Sequence, residues 1–359
     1  MEDKNTGNKG EWSELYVLAK LLTEGKLYIS DENLSKNERI FYEINEITTA
    51  QESFKPLIYK IINSDEILIL NPQNDKEIKI QRSVIKNKVA AFLNEIMSGT
   101  KNQKLVGNEI KTILERKNIS ATSKHKSDLI IRSYDPRVRS ITQSGYSIKS
   151  KLGSASTLFN SSQATNLVYQ VLGLNDSSIQ PINQEKSCRS RIQKIYELGG
   201  RLNFLETQNE IFKNNLMMVD GYFNKILAAA LLVFYLTKNR RISDVIAGIK
   251  NIEIQDLQPK NMTNFLKNNF KKFLFYSALG MVAKSPWDGL ISSVGGVIVV
   301  KKDGEIVGYT PYDLNAFQEY LFINTKFDSP DSDRNKFGKI YKEGNEYKIK
   351  LNFQIRFID

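Results

Sequence analysis

Two short stretches carry residues of the right kinds for chemistry on a phosphate. In "SDLIIRSYDP" (127–136) Asp128 opens an apolar run, and in "GYSIKSKLG" (145–153) Ser147 and Lys149 stand two positions apart. Side chains alternate along a strand, so Ser147, Lys149 and Lys151 share one face while Tyr146, Ile148 and Leu152 share the other. The nineteen positions between Asp128 and Ser147 allow a hairpin-like return through 134–144. If the strands pair, a carboxylate at the start of one lies beside a lysine on the next. Such a carboxylate and a second oxygen ligand can hold Mg²⁺, which polarises a phosphate and lowers the pKa of bound water. The ammonium then orients that water and offsets charge building on phosphorus. The plain alternative is that Asp128 caps a turn and Lys149 faces solvent.

Composition narrows the other options. Cys188 is the single cysteine and His125 the single histidine, so no internal disulfide forms and a zinc site of His and Cys cannot be assembled. A Ser-His-Asp or Cys-His system could use only His125, and "SKHKSD" offers no pattern for one. Metal chemistry must therefore run on carboxylates, which suits Mg²⁺. The net charge of +11 fits an anionic partner such as nucleic acid, although many basic proteins bind none. The N-terminal "MEDKNTGNKGEW" has no apolar core for a signal peptide, and the longest apolar run, "ILAAALLVFYLT" (226–237), is too short to span a bilayer. The expectation is a soluble cytoplasmic protein with no membrane partner.

The elements that must hold these residues can be read from periodicity. "EWSELYVLAKLLTE" (11–24) predicts an amphipathic helix with Glu11 and Glu14 in its first turn. "IFYEINEITT", "PLIYKII", "EILIL" and "KEIKIQ" alternate as a small β-meander. Helices are expected near 82–98 and 106–117. After the two strands that hold Asp128 and Lys149, residues 154–172 predict a polar-then-apolar helix. Residues 185–270 are mostly helical by period, and much of 290–359 is β, with a "DG" turn in "GGVIVVKKDGEIVGY" and a second hairpin around "EGNE". The polar stretch "NDSSIQPINQEKS" suggests a boundary, giving a core over 1–180 and a helical then β region over 181–359 for DNA recognition, with one compact unit as the alternative.

The strand Asp followed by Ser-x-Lys resembles the PD-(D/E)XK nuclease pattern, with Ser127 in place of its Pro and Ser147 in place of its acid. A hydroxyl is a weak, neutral ligand, so a second carboxylate must come from elsewhere. Because nucleases of that fold often donate a helical Glu, Glu14 is the candidate and Glu11 the next. "KGEWSELYVLAKLL" (9–22), "GYSIKSKLGSASTLFNSSQATN" (145–166) and "LNFQIRF" (351–357) together are similar to the HpaII-type family of Type II restriction endonucleases. That resemblance implies an α/β (α+β) fold with a PD-(D/E)XK core, a mixed sheet flanked by helices, and additional helical and β segments. It implies Mg²⁺-dependent cleavage of double-stranded DNA at CCGG. Asp128, Ser147 and Glu14 would hold the metal and Lys149 would be the catalytic lysine. A homodimer reading the palindrome and a cognate DNA methyltransferase follow from the same resemblance. The alternatives are a structure-selective or repair nuclease of similar fold, and a non-catalytic DNA-binding protein.

Further DNA contacts are expected from Lys151, one strand step beyond Lys149, and from Ser156, Asn160, Gln163 and Asn166 at the start of the predicted 154–172 helix. "NTKFDSPDSDRNKFGK" (324–339) offers Lys326, Arg334, Lys336 and Lys339 around a turn, with Arg334 able to pair a guanine. A solvated turn held by its own ion pairs is the alternative. Trp287 in "SPWDG" more often seals a core than stacks on a base.

Overall fold

A computed structural model describes residues 7–51, 54–98, 105–116, 127–252, 254, 257–289 and 295–358; His125 lies outside them. Helix α1 (Lys9–Glu24) starts at a capping box, in which the Asn8 side chain accepts from Glu11 N and the Glu11 carboxylate accepts from Asn8 N. It stops at left-handed Gly25, φ 69°, whose N–H returns to Leu21 O. Strands β1 (Lys26–Ser30), β2 (Lys36–Gln51), β3 (Phe54–Ile61), β4 (Glu66–Asn71) and β5 (Lys76–Gln81) follow, so the alternating meander forms with one strand added before it. Helices α2 (Arg82–Ser98) and α3 (Leu105–Ile113) occupy the two expected places. Strands β6 (Leu129–Asp135) and β7 (Ser140–Ser150) close on a turn that uses Pro136 and left-handed Arg139, φ 52°.

The helix expected over 154–172 does not form. Strand β8 (Thr157–Phe159), a 3₁₀ turn at Gln163–Thr165 and strand β9 (Leu167–Leu172) stand there instead. The Ser162 hydroxyl accepts from Ala164 N and the Thr165 hydroxyl from Ser162 N. Ser and Thr side chains of this kind offer the backbone partners that compete with a helical turn. Next come α4 (Asp176–Asn183), α5 (Cys188–Glu197), β10 (Arg201–Thr207), α6 (Glu210–Val219), α7 (Phe223–Leu236), α8 (Ile242–Gly248) and α9 (Met262–Ala278). Strand β10 interrupts the expected helical stretch because it pairs antiparallel with β9. The C-terminal part contains β11 (Gly296–Val300), β12 (Ile306–Tyr309), α10 (Leu314–Ile323), β13 (Thr325–Asp328), α11 (Ser332–Asn335), β14 (Ile340–Glu343), β15 (Glu346–Leu351) and β16 (Gln354–Phe357). Both hairpins read from "DG" and "EGNE" form, with Gly304 and Gly344 at positive φ.

The architecture is mixed α/β, in two compact units. The first comprises Met1–Ser156 and Ile291–Tyr320, and the second Thr157–Leu290 and Leu321–Ile358. A single boundary near residue 180 is therefore not the division. The chain must come back because β11 completes the first unit's sheet, which runs β1-β12-β11-β7-β6-β2-β3-β4-β5. In it β7 is internal, antiparallel to β6 and parallel to β11. Trp12, Leu15 and Leu18 of α1, Phe92 of α2 and Ile110 of α3 share one core with Ile47, Tyr59, Ile131 and Ile148 of the sheet. Gly107 is required at that packing, since a Cβ there would stand 2.7 Å from the Phe92 ring and 2.8 Å from Trp12.

In the second unit, sheets β10-β9-β15-β14 and β13-β16-β8 enclose an aromatic core in which Phe159 stacks on Phe353 at 5.8 Å. The apolar run at 226–237 lies largely in buried α7, and no single helix among the described residues is long and apolar enough to cross a membrane.

Candidate active site

The expected β6–β7 pairing forms, with Leu129 opposite Tyr146 and Asp135 opposite Ser140. Asp128 stands just before β6, where its N–H donates to Tyr146 O at 2.8 Å. Its carboxylate reaches across to β7: Oδ2 accepts from Ile148 N at 2.6 Å and stands 3.5 Å from Ser147 Oγ. Asp128 is thus clamped to the strand that carries Lys149, rather than capping a turn of its own.

Lys149 is half-buried on the same face as Ser147, and Val299 pairs beside it in β11. Burial pulls its pKa below the usual lysine value, and the charges of Asp128 and then Glu14 oppose that shift. The charge of Glu14 therefore reaches Lys149. Glu11 does not share this role, because its carboxylate closes the α1 cap.

Two serines next to the candidate groups weld α1 to β7. The buried Ser13 hydroxyl donates to Lys9 O at 2.7 Å and lies 2.8 Å from Ser150 Oγ, which accepts from Leu152 N at 3.1 Å. One proton per hydroxyl makes Ser150 the donor to Ser13. The chain of bonds fixes the residue before Glu14 against the residue after Lys149. Nothing in the sequence announces these serines, because 137 positions separate them. Arg116 is silent in the sequence for a similar reason. It is buried at the end of the α3 segment, its pKa is lowered by burial, and the charges of Tyr59 and Glu14 oppose that shift.

The oxygen groups around Lys149 suit a hard cation: the carboxylates of Asp128 and Glu14, and the Ser147 hydroxyl. Among the described residues no three His, Cys, Asp or Glu side chains cluster as a metal site.

The remaining candidates fall in different places. Lys151 is half-buried after β7 and its N–H donates to Val300 O, and Ser156 ends the first unit. Asn160 and Gln163 are exposed in the second unit, but without the helix N-terminus expected to present them. Gln163 Nε2 lies 3.4 Å from Arg334 O, so the 160–166 and 332–336 segments meet. A buried network fixes them: Asn352 Nδ2 donates to Ser162 O and Asn166 Oδ1, and Asn166 Nδ2 donates to Asn335 O. Asn166 is therefore a scaffold residue. Arg334 and Lys336 are exposed, whereas Lys326 is half-buried opposite Arg356 in β13. Trp287 is half-buried against the Tyr276 ring at 4.5 Å. Several arginines are committed to the fold: Arg137 to Asp135 and Asp313, Arg191 to Gly338 O, and Arg189 to Tyr235 O and Thr237 O.

Comparison with known proteins adds two findings. The family model described as HpaII restriction endonuclease matches residues 8–357. The Type II restriction enzyme HpaII of Haemophilus parainfluenzae is 35% identical over 356 residues, which cover 98% of this chain and 99% of that protein. No solved structure matches.

Proposed function

This chain belongs to the HpaII restriction endonuclease family and is a Type II site-specific endonuclease of double-stranded DNA, and we propose that it cuts CCGG with Mg²⁺ as cofactor. The relative supports the family; CCGG is our own reading for this chain. The observation that carries the mechanism is the clamp of Asp128 onto β7 beside half-buried Lys149, with the charge of Glu14 acting on the same lysine.

In this reading the core is of PD-(D/E)XK type, with Ser127 and Ser147 at its Pro and acid positions. Asp128, Glu14 and Ser147 hold the cation. Mg²⁺, when bound, supplies Lewis acidity to the phosphate and to a water. Lys149 keeps its ammonium in a poorly solvated place, where its charge acts strongly on the phosphate oxygens and its N–H groups orient the attacking water. Lys151, Ser156, Asn160, Gln163, Lys326, Arg334 and Lys336 contribute contacts to the duplex. A two-fold symmetric homodimer suits a palindrome, and a methyltransferase that marks the same sequence protects the host's own sites.

Purified protein incubated with plasmid and Mg²⁺ tests this reading. Discrete fragments ending at CCGG are expected, and Asp128→Ala removes them. A single-base change inside the site should weaken recognition by about 1–3 kcal/mol for each bidentate hydrogen-bond pair it breaks. A smear, or fragments ending at another sequence, overturns the CCGG reading.

A further inference from the structure

The second unit contains an open cleft of about 320 Å³ between α11 and the β14–β15 hairpin. Lys336, Lys339 and Lys350 line it together with Tyr341, and Asp333 is the one acid on its wall. Other lysines of the same hairpin are paired: Lys342 lies 3.6 Å from Asp176, and Lys348 lies against Glu343. Lys336 and Lys339 form no ion pair among the described residues, and the Lys350 ammonium sits over the Tyr341 ring, 5.5 Å from its centre. Three cations from two stretches of the chain thus converge on one concavity. Like charges gathered this way repel one another unless an anion enters.

The backbone adds a separate observation. Lys336 ends α11 in the left-handed conformation, φ 53° and ψ 56°. Glycine occupies that position at low cost, and a lysine there is strained. Such strain is found at ligand sites as well as at ordinary turns, and Leu34, Asp75, Glu115 and Arg139 also have positive φ. Here the side chain is one of the three that line the cleft.

We propose that this cleft is a binding site for backbone phosphates of duplex DNA, contacted by Lys336, Lys339 and Lys350. It rests on duplex DNA being the substrate and not on the CCGG reading or the metal site. Its contribution is electrostatic and independent of sequence. The bound phosphates displace the counterions that would otherwise screen the lysines.

The test uses the full chain in EDTA with a 30-base-pair duplex, measuring affinity across a salt series. Each of Lys336→Gly, Lys339→Gln and Lys350→Gln should lower the slope of log K against log salt by about 0.9, which amounts to roughly five- to tenfold in affinity per lysine near 0.1 M salt. Lys336→Gly should also melt no lower than the parent, because it relieves the left-handed strain. A loss of affinity there reflects the side chain and not the fold. Lys339→Arg, which keeps the charge, should retain the slope. Lys342→Gln removes the same charge from a paired lysine on the same hairpin and should leave the slope alone. Unchanged affinity in the three cleft variants overturns the proposal. An equal fall in Lys342→Gln overturns it too, since net charge would then explain the effect. Failure of CCGG cleavage with an intact cleft effect would count against the recognition reading alone.

Discussion

Glu11 and Glu14 lie one helical turn apart on α1 and have different fates. Glu11 is committed to the capping box, while Glu14 acts on Lys149. Glu14→Gln is expected to cripple single-turnover cleavage nearly as much as Asp128→Ala, because each removes a carboxylate charge from the proposed cation donors. Glu11→Gln should leave the rate alone and cost about 1 kcal/mol or less of stability, the usual scale of a cap interaction. Equal rates for the two Gln variants would remove Glu14 from the site. Lys149 permits a second test. Folding lowers its pKa, so between the folded and unfolded values the unfolded chain binds more protons, and stability rises with pH through that window. At neutral pH the buried ammonium is therefore a cost that function retains. Lys149→Met should raise the melting temperature at pH 7 while abolishing cleavage, and the stability gain should shrink as pH rises past the depressed lysine value. Lys149→Arg should not restore activity, since a planar guanidinium cannot reproduce the point charge.

At the scale of elements, the Ser13–Ser150 contact turns local structure into site geometry. Ser13→Ala or Ser150→Ala should lower the cleavage rate on the order of tenfold, as small misplacements of reacting groups do. Either variant should cost only about 1 kcal/mol of stability. The double variant should lose no more than the worse single one, because both cut the same link. Additive losses would mean that the serines act separately. The elements around this contact are largely legible in the sequence. The period-two runs of 40–81 announce strands, and the apolar spacing of α1, α2 and α3 announces helices. Asp128 and Lys149 can be placed side by side because a hairpin joins their strands. The exception is the expected 154–172 helix, where Ser162 and Thr165 bond the backbone and Leu167–Leu172 pairs with β10 and β15. Propensity yields there to partners supplied by distant chain. Lys336 and Lys339 are legible as basic residues of one turn, but the cleft is not, since only the β14–β15 register brings Lys350 beside Tyr341 and α11.

Over the whole molecule the charge of +11 sets how DNA is met. Association with duplex DNA should be fast at low salt and slow steeply as ionic strength rises, because the protein's field steers the encounter. A rate insensitive to salt in stopped-flow mixing would show that the positive charge is spread without focus. The return of the chain at Gly296 has another consequence. Strand β7 is complete at Ser150, but its neighbour β11 ends at Val300. At about 5–20 residues per second, a ribosome needs roughly seven to thirty seconds to cover that interval. Throughout it, the strand bearing Lys149 has one open edge. A chain ending before Gly296 should therefore have no cleavage activity, although it contains Glu14, Asp128, Ser147 and Lys149. On this expectation the polypeptide is inactive until most of it has been made, and a translation product that stops short of β11 cuts no DNA.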